Sequence, residues 1–257
     1  MLNSTVVGRF DVTPELMILR VKPDGGVPEF IPGQYVALGL LGSTPRLPGA
    51  APEIEVPAPD KVIKRAYSIG SSPEQRDFLE FYIAIVPTGL LTSRLATIHE
   101  GDRIFCQPKV AGTFTLEGVP EDKNLVFVST GTGLAPFMSM VRTSSTWRVP
   151  RKITIVHGVR YPQDFAYAGE LQSLVSSNRH FSYLPIASRA PETWSGNKGR
   201  VQKLFDEGHV ELNPISDHVF LCGNPAMIEE LESSLTRTGF AVHSKKSPGN
   251  LHVEKYW

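Results

Sequence analysis

The run Leu125-Val126-Phe127-Val128-Ser129, followed by Thr130-Gly131-Thr132-Gly133-Leu134-Ala135-Pro136, does most to limit the fold of this chain. A continuous apolar run of that length reads as a strand covered on both faces, as in a parallel sheet. The glycines after it make a tight loop, and Pro136 suits the first turn of a helix whose apolar face is Phe137, Met138, Met140 and Val141. Strand, glycine loop and helix start form the geometry that cradles a pyrophosphate. Pro136 stands where the G-x-G-x-x-G pattern has its third glycine, so this is a nucleotide loop of another kind or a structural turn.

The alternation continues toward the C-terminus. Strands are expected over 153–157, 181–187 and 218–222, and helices over 169–177 and 201–207. A last helix follows Gly223, with Asn224 as N-cap, Pro225 at the first helical position, Met227, Ile228, Leu231 and Leu235 on one face, and Gly239 as its end. Units of this kind build a doubly wound α/β sheet, which binds ligands at the carboxyl ends of its strands. Arg160, Ser188, Arg189, Cys222 and Gly223 fall there. With Arg200 and Lys198, the arginines either gather on the ribose phosphate that separates NADP from NAD or are unrelated solvated charges.

Before Gly118-Val119-Pro120 the pattern differs. Short β segments over 4–10, 15–22, 34–40, 64–69, 78–86, 102–107 and 112–116, broken by Pro and Gly, suggest a small closed antiparallel β-barrel. The expected division is a barrel domain over 1–118 and an α/β domain over 119–257. Between 42 and 60, Pro45, Pro48, Pro52, Pro57 and Pro59 prevent a regular ladder, so an extended or mobile loop is expected there, either functional or an insertion. It leads into Arg65-Ala66-Tyr67-Ser68, where alternation along a strand points Arg65 and Tyr67 one way and Ser68 the other. A fixed cation, an aromatic plate and a small hydroxyl in that order either suit a flavin dinucleotide or are an ordinary exposed pair on a strand. Pro87-Thr88-Gly89 then turns the chain into a helix with Leu91, Leu95 and Ile98 on its apolar face and Thr92 or Ser93 as cap, which offers a second grip on a pyrophosphate or simply packs over the barrel end.

Composition removes several function classes. The 26 basic residues balance 26 acidic ones, so no global field attracts nucleic acid or an anionic membrane. Cys106 and Cys222 lie far apart and join no Cys/His cluster, so neither zinc nor an iron–sulfur centre has enough ligands, and no metal site is expected. No apolar run approaches the roughly 18 residues of a membrane span and no export leader opens the chain, so a soluble, cytoplasmic protein is expected. The tail ends in Tyr256-Trp257, a pair either buried against the body or laid on a flat ligand.

Taken in order, Arg65-Ala66-Tyr67-Ser68, the turn at Gly89 to Thr92, Thr130 to Pro136, Cys222-Gly223-Asn224-Pro225 and the C-terminal aromatic resemble the ferredoxin–NADP reductase family, most closely its bacterial ferredoxin/flavodoxin reductases. The resemblance covers the chain except the 42–60 segment. It implies an FAD-binding barrel followed by an NADP-binding α/β domain. Arg65, Ala66, Tyr67 and Ser68 would hold FAD, with Ser68 beside the flavin N5. Tyr82, Ile83, Ala84 and Ile85, then Leu90, Leu91 and Thr92, and finally Thr132 would complete the flavin site. Gly131, Gly133, Cys222 and Gly223 would face the nicotinamide half of NADP(H), and Arg160, Ser188, Arg189 and Arg200 its adenosine phosphate. Tyr256 would cover the isoalloxazine and Trp257 the FAD adenine, while Glu254 sits near the position of a carboxylate implicated in proton transfer. Ser68, Cys222, Glu254 and Tyr256 are thus the implied catalytic group. The implied activity passes hydride from NADPH to FAD and single electrons to a ferredoxin or flavodoxin, by a monomer. Related alternatives are a flavin reductase, an oxygenase reductase component, and a non-catalytic FAD-binding subunit.

Overall fold

The computed structural model describes residues 1–255, and Tyr256 and Trp257 lie outside them. The chain forms two compact units, one of Met1–Thr115 with Met138–Thr143, the other of Leu116–Phe137 with everything from Ser144 onward.

The first unit contains β1 (Ser4–Thr13), β2 (Leu16–Pro23), β3 (Tyr35–Leu41), β4 (Val62–Ser68), β5 (Leu79–Ala84), a single helical turn α1 (Thr92–Leu95) and β6 (Arg103–Cys106). They make a six-stranded antiparallel sheet in the order β4-β3-β6-β1-β2-β5. Its two edges meet where the Gly70 N–H donates to the Glu80 carbonyl at 2.7 Å. The two-residue period of β2 buries Met17, Leu19 and Val21 completely, against Leu38, Leu79, Phe81 and Ile83. Buried Glu80 accepts from Arg20 Nε at 2.8 Å and from Arg142 Nη1 at 2.7 Å, and Arg142 also donates to the Gly70 carbonyl, so both carboxylate oxygens are engaged.

The expected strand over 112–116 is not formed. Ala111 makes an isolated bridge to Tyr35, and Gly112 then takes φ +111° and leaves the ladder. Beyond it the Phe114 carbonyl lies where a Cβ on Gly33 would be, so this segment crosses the Gly33 backbone instead of running beside it.

The second unit contains β7 (Asn124–Thr130), β8 (Ile153–Val159), α3 (Ala168–Ser177), β9 (Phe181–Ala187), β10 (Asn197–Lys198), α4 (Gln202–Asp206), β11 (Asp217–Gly223), α5 (Pro225–Arg237) and β12 (Leu251–Lys255). The helix α2 (Ala135–Val141) begins in this unit and ends in the first. The sheet is parallel, in the order β10-β9-β8-β7-β11-β12. Successive strands from β7 run outward in one direction and β11 and β12 in the other, so the order reverses between β7 and β11. α5 follows the sequence expectation: Asn224 Oδ1 accepts from the Ala226 and Met227 N–H groups, Pro225 opens the helix, and Gly239 at φ +101° stops it. Its face of Met227, Ile228, Leu231 and Leu235 is buried. No helix among the described residues is long and apolar enough to cross a membrane.

Candidate functional site

In a doubly wound sheet, the crevice opens outside the strand ends where the strand order reverses. Here that is the end of β7, which runs into a single 3-10 turn over Gly131–Leu134, and the end of β11, which is Cys222-Gly223. The two ends approach at glycine-only distances. A Cβ on Gly133 would stand 2.7 Å from the Cys222 carbonyl carbon and 2.8 Å from Gly223 Cα, and one on Gly223 would stand 2.8 Å from the Thr130 carbonyl oxygen. Gly131 at φ +53° and Gly223 at φ +133° also need the left-handed half of backbone space. The Asn224 N–H donates to Thr130 Oγ1 at 2.8 Å, which ties one end to the other. A glycine cradle of this kind at two strand ends fits an extended phosphate-bearing ligand. Thr132 is buried in its turn, Cys222 is fully buried, and Glu254 is paired with Cys222 across β11 and β12.

The next strand ends carry the cations. Arg160 follows β8, and Ser188-Arg189 follow β9. The Ser188 N–H and hydroxyl both donate to the Val159 carbonyl (2.9 and 3.2 Å), and the Arg189 N–H donates to the Arg160 carbonyl (2.7 Å). The Gly199 N–H donates to the Ala187 carbonyl, which brings Arg200 to the same edge. All three arginines and Ser188 are exposed, and among the described residues no carboxylate pairs with the three guanidiniums. Lys198 differs: its ammonium donates to the Glu192 carbonyl at 2.8 Å and is spent on holding the loop between β9 and β10.

In the first unit, Arg65, Ala66, Tyr67 and Ser68 lie along β4. Arg65 and Ala66 are exposed, and the Arg65 Nη1 donates to the main-chain carbonyl of Lys64 at 2.8 Å, which leaves its charge without a carboxylate among the described residues. Tyr67 packs on the core with Arg65 beside it; burial pushes its phenol up, so it stays protonated. Ser68 is buried opposite Tyr35. A lone guanidinium, a protonated phenol and a hydroxyl within one turn of strand are a donor set that fits a flavin dinucleotide. Tyr82, Ile83 and Ile85 are buried at the end of β5, with Ala84 half-buried among them.

The turn from β5 into α1 is built differently from the expectation. α1 is only four residues long, Leu91 is its N-cap, and no side chain caps it. Thr92 Oγ1 instead donates to the Val86 carbonyl (3.0 Å) and accepts the Val86 N–H (3.2 Å), closing the loop through Gly89, where a Cβ would strike that hydroxyl. Leu91 is buried and Leu90 half-buried.

The segment over 42–60 forms no ladder, as expected, and is pinned by an ion pair and main-chain hydrogen bonds. Glu53 reaches the fully buried Arg94 of α1 in a bidentate pair (2.6 and 3.1 Å), and Arg94 also donates to the carbonyls of Leu90 (2.7 Å) and Gly42 (3.0 Å). The Leu47 N–H donates to the Ser93 carbonyl, the Ala51 N–H to that of Pro87, and Thr97 Oγ1 to that of Pro45. The segment is a strap pinned along the turn that contains Leu90, Leu91 and Thr92. Nothing in the proline spacing signals it; Glu53 and Arg94, 41 residues apart in sequence, are the pieces that matter.

Comparisons with known proteins bear on both units. The family model of the oxidoreductase FAD-binding domain matches residues 46–114, and that of the oxidoreductase NAD-binding domain matches residues 127–233. Over 239 residues the chain is 32% identical to a ferredoxin–NADP reductase of Pseudomonas aeruginosa, covering 88% of this chain and 86% of the relative. It is 32% identical over 237 residues to the flavodoxin/ferredoxin–NADP reductase of Escherichia coli, covering 89% and 88%. The chain belongs to the ferredoxin–NADP reductase family. A solved structure of a ferredoxin NADP+ reductase from Neisseria gonorrhoeae with bound FAD and NADP superposes with a TM-score of 0.82 at 26% identity, covering 98% of this chain and 97% of that one. Family membership makes the chain an FAD-dependent oxidoreductase that uses a nicotinamide nucleotide, with an antiparallel FAD domain followed by a parallel α/β nucleotide domain. Tyr256 and Trp257, the residues expected to cover the flavin, lie outside the described residues.

Proposed function

We propose that the chain passes electrons between NADP(H) and a one-electron carrier protein, a ferredoxin or flavodoxin, by way of FAD. The observation that carries the NADP(H) reading is the row of three arginines at the strand edge beside the glycine cradle, none paired with a carboxylate among the described residues. A doubly charged ribose phosphate suits such a row, and an unphosphorylated ribose leaves it unused. The carrier follows from the names of the relatives at 32% identity.

Bound FAD supplies the conversion between two-electron hydride chemistry and one-electron release. The chain's residues supply placement. Arg65, Tyr67 and Ser68 hold the flavin dinucleotide along β4, with Ala66 leaving room between them. The main chain at Leu90, Leu91 and Thr92 holds its pyrophosphate, and Tyr82 to Ile85 wall the ring. Gly131, Gly133, Cys222 and Gly223 take the nicotinamide half of the substrate, with Thr132 beside them, and Arg160, Ser188, Arg189 and Arg200 take its 2′-phosphate. Glu254, in register with Cys222 in the sheet, would exchange a proton with water. In this reading the FAD part spans residues 1–118 and the NADP part 119–257, and the protein acts as a cytoplasmic monomer.

The test is an anaerobic titration of the purified protein with NADPH and, separately, NADH, following the visible flavin band. Bleaching at far lower NADPH than NADH supports the reading. A colourless protein, or a yellow one indifferent to both nucleotides, refutes it.

A further inference from the structure

The glycine cradle of the second unit rests on a side chain that none of the roles above uses. His157 of β8 is fully buried, and its Nε2 lies 3.1 Å from the Gly131 carbonyl while its Nδ1 lies 3.4 Å from the Tyr183 hydroxyl. A carbonyl only accepts, so Nε2 carries the hydrogen and donates to Gly131, and Nδ1 accepts from Tyr183 on the neighbouring strand β9. Burial pushes the Tyr183 phenol up, which keeps it a donor, and pushes His157 down to about 4, which keeps the ring neutral and the tautomer fixed at working pH.

The ring is held on its other sides too. Phe165 meets it edge-on (centroids 5.6 Å apart, planes at 71°), and Trp194 stacks on Phe165 at 6.2 Å. The residue after His157 is Gly158, where a Cβ would come within 2.5 Å of Val201 Cγ1, so β8 has no freedom to slide.

The partner of this fixed donor is a glycine peptide of the loop. Gly131 has no Cβ and sits at φ +53°, where its peptide plane has alternatives that a side-chain-bearing residue lacks. In a trans peptide, the N–H of one residue points opposite to the carbonyl before it. Holding the Gly131 carbonyl toward His157 therefore turns the Thr132 N–H to the opposite side.

We propose that His157, oriented by Tyr183, is a positioning residue for the nicotinamide nucleotide, which presets the Gly131–Thr132 peptide of the binding loop in its ligand-ready orientation. The proposal rests on the assignment of that loop to NADP(H) made above. A neutral ring boxed in by apolar and aromatic groups is a costly way to fill a core position unless both nitrogens are used, and here one of the two bonds reaches the loop directly.

The test uses the FAD-loaded protein and calorimetric titration with two ligands. NADP+ reaches the loop; 2′-phospho-AMP reaches only the arginine edge. The variants are His157→Leu, which removes the donor, His157→Gln, whose side-chain amide N–H replaces Nε2–H, and Tyr183→Phe, which leaves the ring and removes its tether. For His157→Leu, NADP+ is expected to bind about tenfold more weakly, the worth of one buried hydrogen bond, with 2′-phospho-AMP unchanged. His157→Gln should recover most of the loss, and Tyr183→Phe should show part of it. NADP+ binding within twofold of the parent in both His157→Leu and Tyr183→Phe overturns the proposal, as does an equal loss of both ligands. Should His157→Leu fail to fold, the outcome rests on Tyr183→Phe against the parent. A parent protein that binds neither ligand overturns the NADP(H) reading itself, which is a different result from a parent that binds both and variants that do not differ.

Discussion

Replacing Glu53 by Leu tests whether the proline-rich strap is held by one ion pair. The Glu53 side chain is 7% exposed and that of Arg94 is 2% exposed. Glu53→Leu would leave the Arg94 guanidinium buried with only the Leu90 and Gly42 carbonyls, and Arg46, whose Nε lies 3.8 Å from the same carboxylate, would become a second cation without a counter-charge. Breaking a buried pair by removing one partner costs about 3 to 5 kcal/mol. The lower end applies here, because the two remaining carbonyls still accept from Arg94 and the strap can lift to admit water. About 3 kcal/mol corresponds to roughly two orders of magnitude in a local opening equilibrium.

Global unfolding reports this badly. A two-unit protein has no single unfolding free energy, and Trp147 and Trp194 both lie in the second unit. Hydrogen exchange of the strap amides is the suitable assay, since Leu47 donates to Ser93 of α1 at 2.7 Å and Gly42 to Lys61, just past the strap, at 2.8 Å. Protection at Leu47 is expected to fall about a hundredfold in Glu53→Leu at neutral pH, with amides of β7 and β8 unchanged. The Arg94 hydrogen bond holds the Glu53 carboxyl below its ordinary range, so the pair's contribution is present above that range and is lost as pH falls through the depressed value. The double change Glu53→Leu with Arg94→Met removes both charges and should recover part of the protection, short of full recovery because the Gly42 and Leu90 carbonyls then lose their donor. Leu47 protection in Glu53→Leu within a factor of three of the parent would show that the apolar contacts of Leu47, not the ion pair, hold the strap.

Three further outcomes follow from the same geometry. Gly223→Ala places a Cβ 2.8 Å from the Thr130 carbonyl at φ +133°, so it should cost about 1 to 3 kcal/mol and weaken NADP+ binding; an unchanged melting temperature with unchanged affinity would contradict the close approach of the two strand ends. Arg189→Ala should raise the KM for NADPH at least tenfold, the worth of a charge-assisted hydrogen bond, and leave that for NADH unchanged, and equal effects on both nucleotides would place Arg189 off the 2′-phosphate. His252 stacks on Phe220 (centroids 4.0 Å apart), and its Nε2 lies 3.1 Å from His218 Nδ1; burial, with His243 and His218 nearby, pushes it down to about 3. The unfolded chain takes up this proton first, so stability falls as pH drops below the ordinary histidine value, by about 2 kcal/mol from this group between pH 7 and pH 5. A denaturant series on His252→Phe, followed on the unfolding of the second unit through Trp147 and Trp194, should lack that part of the slope, and an unaltered slope would assign it to other groups.

What could be read in the sequence was what is local in sequence. The run at Leu125 announced β7 because both faces of a parallel strand are buried; Asn224-Pro225 announced the start of α5 because cap and first turn are adjacent residues. The strand ends could be read for the same reason, so Arg160, Ser188 and Arg189 could be set at the carboxyl edge of the sheet, whereas the short β10, whose pairing with β9 brings Arg200 to that edge, could not. The expected strand over 112–116 failed where a contact distant in sequence, the crossing of Phe114 over Gly33, decides the path. The capping expectation at Thr92 failed because a hydroxyl there has two uses, and closing the Val86 turn needs only Gly89 to make room, a pairing that helix rules do not weigh. The strap and His157 were illegible for a deeper reason. Proline density states only that no ladder forms; whether such a chain is loose or pinned depends on whether one carboxylate finds a buried cation, and Glu53 finds Arg94 only after the sheet has set α1 beside it. His157 likewise looks like any residue of an apolar strand until β7 and β9 lie on either side of β8 and give its two nitrogens one partner each. Polar groups buried among strands are therefore where the folded chain says more than its motifs do, because each such group is tolerable only with a partner, and the partner here belongs to the glycine loop that follows β7.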